Sequence, residues 1–260
     1  MNEMITSLQN PQVKAWRLLN KGRGQRLAQG LFLAEGEHMA QEAVKEKKAR
    51  ALLIDAAARE KYSALVASAQ GVSIYWLSSH VMEAICDTKT PQGIIALCDY
   101  PKDQTSDRFG DLLVALDGVQ DPGNMGTIIR TMDAAGFHTL LMDEKTADPY
   151  SPKALRASMG GVFRIPCCRS NDLPGMLREL AADGYQIIAG DLHGAPFFQR
   201  PAAGKKVCLI IGNEGAGISP AVMDCATMRL KLPMAGGAES LNAAVAGAIM
   251  MYDVLRERMG

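Results

Sequence analysis

The chain has 260 residues, 48% of them apolar, with 28 Lys plus Arg against 28 Asp plus Glu. That length allows one large domain or two small ones with a substantial core. A formal charge of zero excludes a protein held to nucleic acid by its overall charge, so any basic surface has to be local.

The N-terminus, "MNEMITSLQNPQVKAW", lacks the apolar centre of a signal peptide. Lys14, Arg17, Lys21, Arg23 and Arg26 follow, faced only by Glu3. They read either as a solvated basic helix or as an arm that contacts phosphates. "GLFLAEGEHMAQEAVKEKKARALLID" then gives a strand, a helix and a strand, and "VSIYWLS" and "GIIALCDY" give two more strands. Asp99 to Asp111 is polar, carries a proline, has no periodicity and reads as a linker.

Beyond it the rhythm changes. "LLVALDGV", "HTLLMD", "VFRIPCC", "YQIIAGDL", "VCLIIG" and "MRLKLPM" are strand candidates, mostly separated by helical patterns. This alternation predicts an α/β fold with a parallel sheet covered on both faces. The longest apolar run, "AAVAGAIMMY", is far short of the roughly 20 residues of a membrane span. The six cysteines show no C-x-x-C spacing and the four histidines are scattered, so we expect free thiols and no metal site. A soluble, cytoplasmic protein is the expectation.

Three glycine-rich loops follow strands in this second half. The first, "VQDPGNMGTIIR", has neither of the common nucleotide fingerprints. In its helix, Met125, Ile128, Ile129 and Met132 form an apolar stripe, and Arg130 points about 150° away from it. The second, "VCLIIGNEGAGIS", runs from a strand apolar on both faces into Gly212-Asn213-Glu214-Gly215. Glycines at such a strand's carboxyl end let a ligand approach the backbone. In the third, "LKLPMAGGAESLNAAVAGAIMMYDVL", Ser240 or Asn242 can cap the last helix. That helix is apolar on two faces: Val245, Ala248, Ile249 and Tyr252 on one, Gly247, Met250, Met251 and Val254 on the other. Burial on both sides implies a second subunit, and we expect Met250 and Val254 at that interface.

Together, "DGVQDPGNMGTIIRTMDAAG", "LIIGNEGAGIS" and "LKLPMAGGAESLNAAVAGAIMMYDVL" resemble, in order and spacing, the three motifs of the SpoU (TrmH-type) RNA ribose methyltransferases of the SPOUT class. "SPKALRASMGGVFRIP" extends the likeness. "SLQNPQVKAWRLL" and "FLAEGEHMAQEAV" are similar, less specifically, to the small substrate-binding domain these enzymes carry, which is like ribosomal protein L30. The resemblance implies an RNA-binding domain over residues 1–104 and a methyltransferase domain over 105–260, with a mostly parallel sheet tied in a deep trefoil knot. It also implies a homodimer, S-adenosylmethionine as methyl donor, and the 2′-hydroxyl of an RNA ribose as acceptor.

By the same resemblance Arg130 serves the reacting hydroxyl, and Asn124, Glu214, Ser240 and Asn242 shape the site. The cofactor rests on Leu209, Ile210, Ile211 and Gly212 and on Leu232 and Met234, with Leu241 closing the slot. Arg156 joins the basic arm as a phosphate contact or is a plain surface arginine. Arginine stays protonated above a pKa of about 12, so Arg130 reads equally as base or as electrostatic stabiliser. Ribosomal RNA is the expected target, on the analogy of the N-terminal domain. Transfer RNA, or a catalytically weak RNA-binding protein of the same fold, are the alternatives.

Overall fold

Asn10 and Pro11 start the first helix in the way their chemistry dictates. The Asn10 side chain accepts the Gln12 N–H at 2.9 Å, and proline fills a first-turn position that has no hydrogen bond to lose. In this computed structural model, which describes residues 4–101 and 109–259, the chain divides into two compact units. Residues 102–108, most of the expected linker, lie outside the described residues.

The first unit runs through α1 (Pro11–Leu19), α2 (Arg23–Gln29), β1 (Leu31–Glu35), α3 (Glu37–Lys45), β2 (Ala49–Asp55), α4 (Ser63–Ser68), β3 (Ser73–Leu77), α5 (Ser79–Ile85) and β4 (Ile94–Asp99). Its sheet has the order β1-β4-β2-β3 and is mixed: β4 is antiparallel to both neighbours and β2 is parallel to β3. Val13, Trp16 and Leu19 put one face of α1 into a core shared with Leu53, Leu77, Val81 and Ile85.

The second unit opens with β5 (Leu112–Asp117), α6 (Pro122–Ala135) and β6 (Thr139–Met142). The stretch Tyr150–Arg164, with α7 (Pro152–Ser158), then belongs by its packing to the first unit. There Phe32 meets Tyr150 with ring centroids 4.8 Å apart, and the Arg164 guanidinium pairs with Glu42. β7 (Cys167–Arg169), α8 (Leu173–Ala182), β8 (Gln186–Pro196), β9 (Val207–Gly212), α9 (Pro220–Met223), β10 (Met228–Lys231) and α10 (Ala243–Met259) complete the second unit. The expected strand "VFRIPCC" is only partly one, because Gly161–Phe163 is a 3-10 turn ahead of the short β7.

The second sheet is all parallel, in the order β10-β8-β9-β5-β6-β7. β5 is buried at every residue, as a central parallel strand must be. From β5 the chain moves outward to β6 and β7, then continues on the other side with β8 and β9. The strand order therefore reverses between β5 and β9, where open parallel sheets form a crevice beyond their carboxyl ends. These two strands end level, Asp117 opposite Gly212.

α10 packs on α6 and β9, and its faces are divided differently from the expectation. Met250 is 2% exposed and Val254 fully buried within the subunit, whereas Val245 and Tyr252 are 47% and 50% exposed. Met250 and Val254 are thus core residues here. The apolar face left open is Val245, Ala248, Ile249 and Tyr252. At the far end of α10, buried Arg200 meets Asp253 at 3.0 Å and Glu257 at 2.7 Å.

Candidate functional site

The site grows from the loops at the ends of β5, β9 and β10. After β5, the Gly118 N–H donates to Asp143 Oδ1 at 3.0 Å and to Thr146 Oγ1 at 3.1 Å. Asp121 then caps α6 by accepting the Asn124 N–H at 2.9 Å, and Pro122 follows as the first helical residue. The stripe of Met125, Ile128, Ile129 and Met132 is fully buried. Arg130 is exposed two turns into the helix, as its angle predicted, and its side chain has no hydrogen bond or ion pair among the described residues.

After β9 the backbone closes a tight turn, with Asn213 and Gly217 exchanging N–H and C=O at 2.9 and 3.0 Å. Gly212 is required there: a Cβ on it would lie 2.4 Å from the Gly217 carbonyl carbon. Asn213 stitches this turn to the first loop. It donates to the Gly118 carbonyl at 2.7 Å and accepts the Gly215 and Ala216 N–H groups.

The Glu214 carboxylate accepts from Asn124 Nδ2 at 2.8 Å and from the Gln120 and Asp121 N–H groups at 3.3 Å. Partial burial pushes its pKa up. The hydrogen bonds, that of Asn124 first, more than offset this and hold it below the ordinary 4.5. From the third loop, Asn242 donates to Asn124 Oδ1 at 2.9 Å, while its own Oδ1 accepts the Ala244 and Val245 N–H groups and so caps α10. The chain Asn242–Asn124–Glu214 ties all three loops together. Of the two candidate caps, Asn242 fills the role.

Between the second and third loops lies a cavity of about 310 Å³, at the low end of the roughly 300–1,000 Å³ of small-molecule sites. Ile210, Ile211, Gly212, Leu232, Met234, Leu241, Glu214 and Ser240 line it, all singled out from the sequence. Leu209 does not; it is a fully buried residue of β9. Gly190, Asp191, Leu192, Ala246, Gly247 and Met250 line it as well and were missed as site residues, because their segments read as plain strand or helix. Asn124, Asn242 and Arg130 lie outside the lining.

The wall of aliphatic side chains, glycines and exposed backbone suits a planar base and a sugar, so the donor set fits an adenosine-type ligand. Among the described residues no group of three or more His, Cys, Asp or Glu is arranged to hold a metal ion.

The basic residues of the first unit separate. Lys14, Arg17 and Lys21 are exposed and make no ion pair among the described residues. With Leu18 and Asn20 they line one side of an open groove of about 520 Å³ whose other side is Ala84 to Asp87. The Asn20 amide, donating to the Ile85 carbonyl at 2.7 Å, joins the two sides. Arg26 does not belong with them: it is 3% exposed and donates to the Leu19 carbonyl at 2.6 Å. Arg23 is half-buried with contacts of its own. Arg156 pairs with Asp87 at 2.8 Å.

Residues 111–252 match the model of the SpoU rRNA Methylase family, and residues 10–96 that of the MRM3-like substrate binding domain. The chain is 38% identical to the 23S rRNA (guanosine(2553)-2′-O)-methyltransferase RlmP of Bacillus subtilis, over 96% of this chain and 98% of that one. An AdoMet-bound rRNA methyltransferase from Sinorhizobium meliloti superposes with a TM-score of 0.85 at 34% identity, covering 98% of this chain and 97% of that one. The SpoU methyltransferase AviRb from Streptomyces viridochromogenes, in complex with AdoMet, gives 0.86 at 29% identity over 97% and 99%.

Proposed function

The chain belongs to the SpoU family and is an S-adenosylmethionine-dependent RNA 2′-O-ribose methyltransferase, and from that premise we propose that it methylates a ribose of 23S ribosomal RNA. The observation that carries the choice of ribosomal RNA is likeness over nearly the whole chain to an enzyme named for 23S rRNA. Two solved structures of transfer-RNA-modifying enzymes, by contrast, cover only 58% and 57% of this chain.

S-adenosylmethionine supplies a methyl group already carried on a positive sulfur. The work left to this chain is to hold the cofactor, align the hydroxyl oxygen and manage its proton. Ile210 to Gly212, Leu232, Met234 and Leu241 would hold the adenosine, with Ser240 beside them. Alignment is worth roughly 7–11 kcal/mol when the reacting groups are held in line. In our reading the Asn242–Asn124–Glu214 chain supplies it by fixing the first loop against the other two. Arg130 faces the open side of α6, where its fixed charge and planar fork of donors would meet the target's hydroxyl and phosphate. It acts there as base or as stabiliser of the developing alkoxide.

RNA is gathered by the N-terminal domain, assigned to residues 1–104, with the methyltransferase domain over 105–260. Support comes from the substrate-binding match and from the groove edged by Lys14, Arg17 and Lys21. The open apolar face of α10 supports a homodimer through that helix. No helix among the described residues is long and apolar enough to cross a membrane, and a ribosomal RNA substrate makes the cytoplasm the expected compartment.

Mapping 2′-O-methyl groups across all RNA from wild-type and deletion cells tests the substrate. Loss at a 23S site, restored by the wild-type gene and not by an Arg130→Ala copy, is expected. Loss confined to transfer RNA would overturn the ribosomal assignment.

A further inference from the structure

Two ionisable side chains stand in the wall of the cofactor cavity, Glu214 and Asp191. Glu214 is committed to Asn124 and the first loop's backbone. Asp191 is not, and the fold sets it apart. β8 pairs with β10 through Ile188 opposite Met228 and Ala189 opposite Arg229, after which the register jumps and Leu230 lies opposite Ala195. β8 pairs with β9 only as far as Ala189, opposite Ile210.

Residues 190–194 therefore leave the ladder on both sides as a bulge at the strand's carboxyl end. Gly194 brings them back: a Cβ on it would lie 2.5 Å from the Arg229 backbone. Inside the bulge, Asp191 Oδ1 accepts the His193 N–H at 2.9 Å, an aspartate turn closed on its own backbone. That bond fixes the side chain and leaves Oδ2 without a hydrogen bond among the described residues. A bulge that aims one side chain is a recurrent device beside active sites.

We propose that Asp191 is an acceptor subsite of the cofactor pocket, taking a hydrogen bond from a donor on the part of S-adenosylmethionine away from its reacting methyl. The inference rests on the cofactor assignment above. The cofactor's ribose hydroxyls and its ammonium group are both donors. Donors taken out of water need acceptors, and apart from Glu214, whose carboxylate is held by Asn124 and the first loop, the rest of this wall offers backbone carbonyls and neutral side chains. A carboxylate oxygen makes a bond roughly twice as strong as a neutral acceptor does.

Calorimetry with full-length wild type and Asp191→Asn tests this. Asparagine keeps the Oδ1 acceptor for His193 and replaces the charged acceptor Oδ2 with an NH2 donor. Three ligands are titrated: S-adenosylmethionine, S-adenosylhomocysteine and 5′-methylthioadenosine, which has the ribose but lacks the amino-acid end. The expected result is weakening by about tenfold or more for the first two, with an unchanged melting temperature. If 5′-methylthioadenosine weakens equally, the ribose diol is the donor; if it does not weaken, the ammonium is.

Affinities within twofold of wild type for all three ligands would overturn the proposal while leaving the methyltransferase reading intact. No binding of S-adenosylmethionine by the wild type would overturn both. Should Asp191→Asn not fold, Asp191→Ser, which also keeps an acceptor for His193, is measured against the same criteria.

Discussion

The side-chain amide of Asn242 donates to Oδ1 of Asn124 at 2.9 Å. One residue caps α10 and the other stands in the first turn of α6, so a single hydrogen bond joins the N-terminal ends of the two helices that follow the first and third loops. Asn124 passes the link on to Glu214. Asn242→Asp separates capping from linkage, because aspartate caps equally well but has no proton to donate to Asn124. We expect a melting temperature close to wild type and methyl transfer slowed by about tenfold or more, as for a reacting group held out of line. Asn242→Ala loses the cap too, at about 1 kcal/mol. Thermal melts and single-turnover methylation check both; an Asn242→Asp enzyme of wild-type rate would remove the positioning role.

Arg130→Ala should lower methyl transfer by roughly 10²–10³-fold, the loss seen when one charge-stabilising donor is removed. Since Arg130 lies outside the cavity lining, its affinity for S-adenosylmethionine should stay within twofold of wild type. Arg130→Lys keeps the charge but not the planar fork, so substantial residual activity would favour electrostatic stabilisation over a base. A rate near wild type for the alanine variant contradicts any catalytic role.

Glu214 carries a pH signature. Its folded pKa is held below the ordinary 4.5, so its contribution to stability is present above that value and is lost as pH falls through the depressed folded value. The melting temperature of wild type should exceed that of Glu214→Gln near pH 7. The gap should begin to close only below pH 4.5. A gap that is constant from neutral to acid pH would show that the carboxylate charge is not what the Asn124 and backbone donors hold.

The last helix separates two kinds of apolar residue. Val245→Lys with Tyr252→Lys alters only the open face, which is about half exposed at each position. We expect a monomer of nearly unchanged melting temperature. Met250→Lys, at a site 2% exposed, should unfold the subunit, because a buried unpaired charge is costly. Light scattering showing a dimer for the double variant would take the interface off this helix.

Much of this was readable from residues because the determining features are local. β5 and β9 are continuous apolar runs, as strands buried on both faces must be. α6 announces itself by Asp121, Pro122 and the stripe of Met125, Ile128, Ile129 and Met132. What escaped depends on tertiary contacts. Both faces of α10 are apolar, so composition could not say which is turned inward. Arg26 looks like its basic neighbours in sequence, yet it is buried and donates to the Leu19 carbonyl. Tyr150–Arg164 packs with the first unit although its sequence continues the second. "AGDLHGAP" ends a strand in any reading, and only the register jump against β10 reveals the bulge that carries Asp191.

The same separation bears on RNA binding. Of the five basic residues near the N-terminus, Lys14, Arg17 and Lys21 edge the groove opposite Ala84 to Asp87, whereas Arg26 is spent on the core. Asp87, the acidic residue of that groove, already pairs with Arg156, so its charge is partly offset before any phosphate arrives. Replacing Lys14, Arg17 and Lys21 together by glutamine should weaken RNA binding and flatten its dependence on salt. Each phosphate deprived of its basic partner takes about 0.7–0.9 off the slope of log affinity against log salt, so the triple variant should have a slope shallower by about 2. Affinity for S-adenosylmethionine should not move, because that cavity lies wholly within the second unit. Arg26→Gln should behave differently, lowering the melting temperature while leaving the salt slope alone. The measurement is RNA binding at several salt concentrations for wild type and both variants. A wild-type slope in the triple variant would move RNA recognition off this groove, and a flattened slope in a stably folded Arg26→Gln protein would return Arg26 to the binding surface.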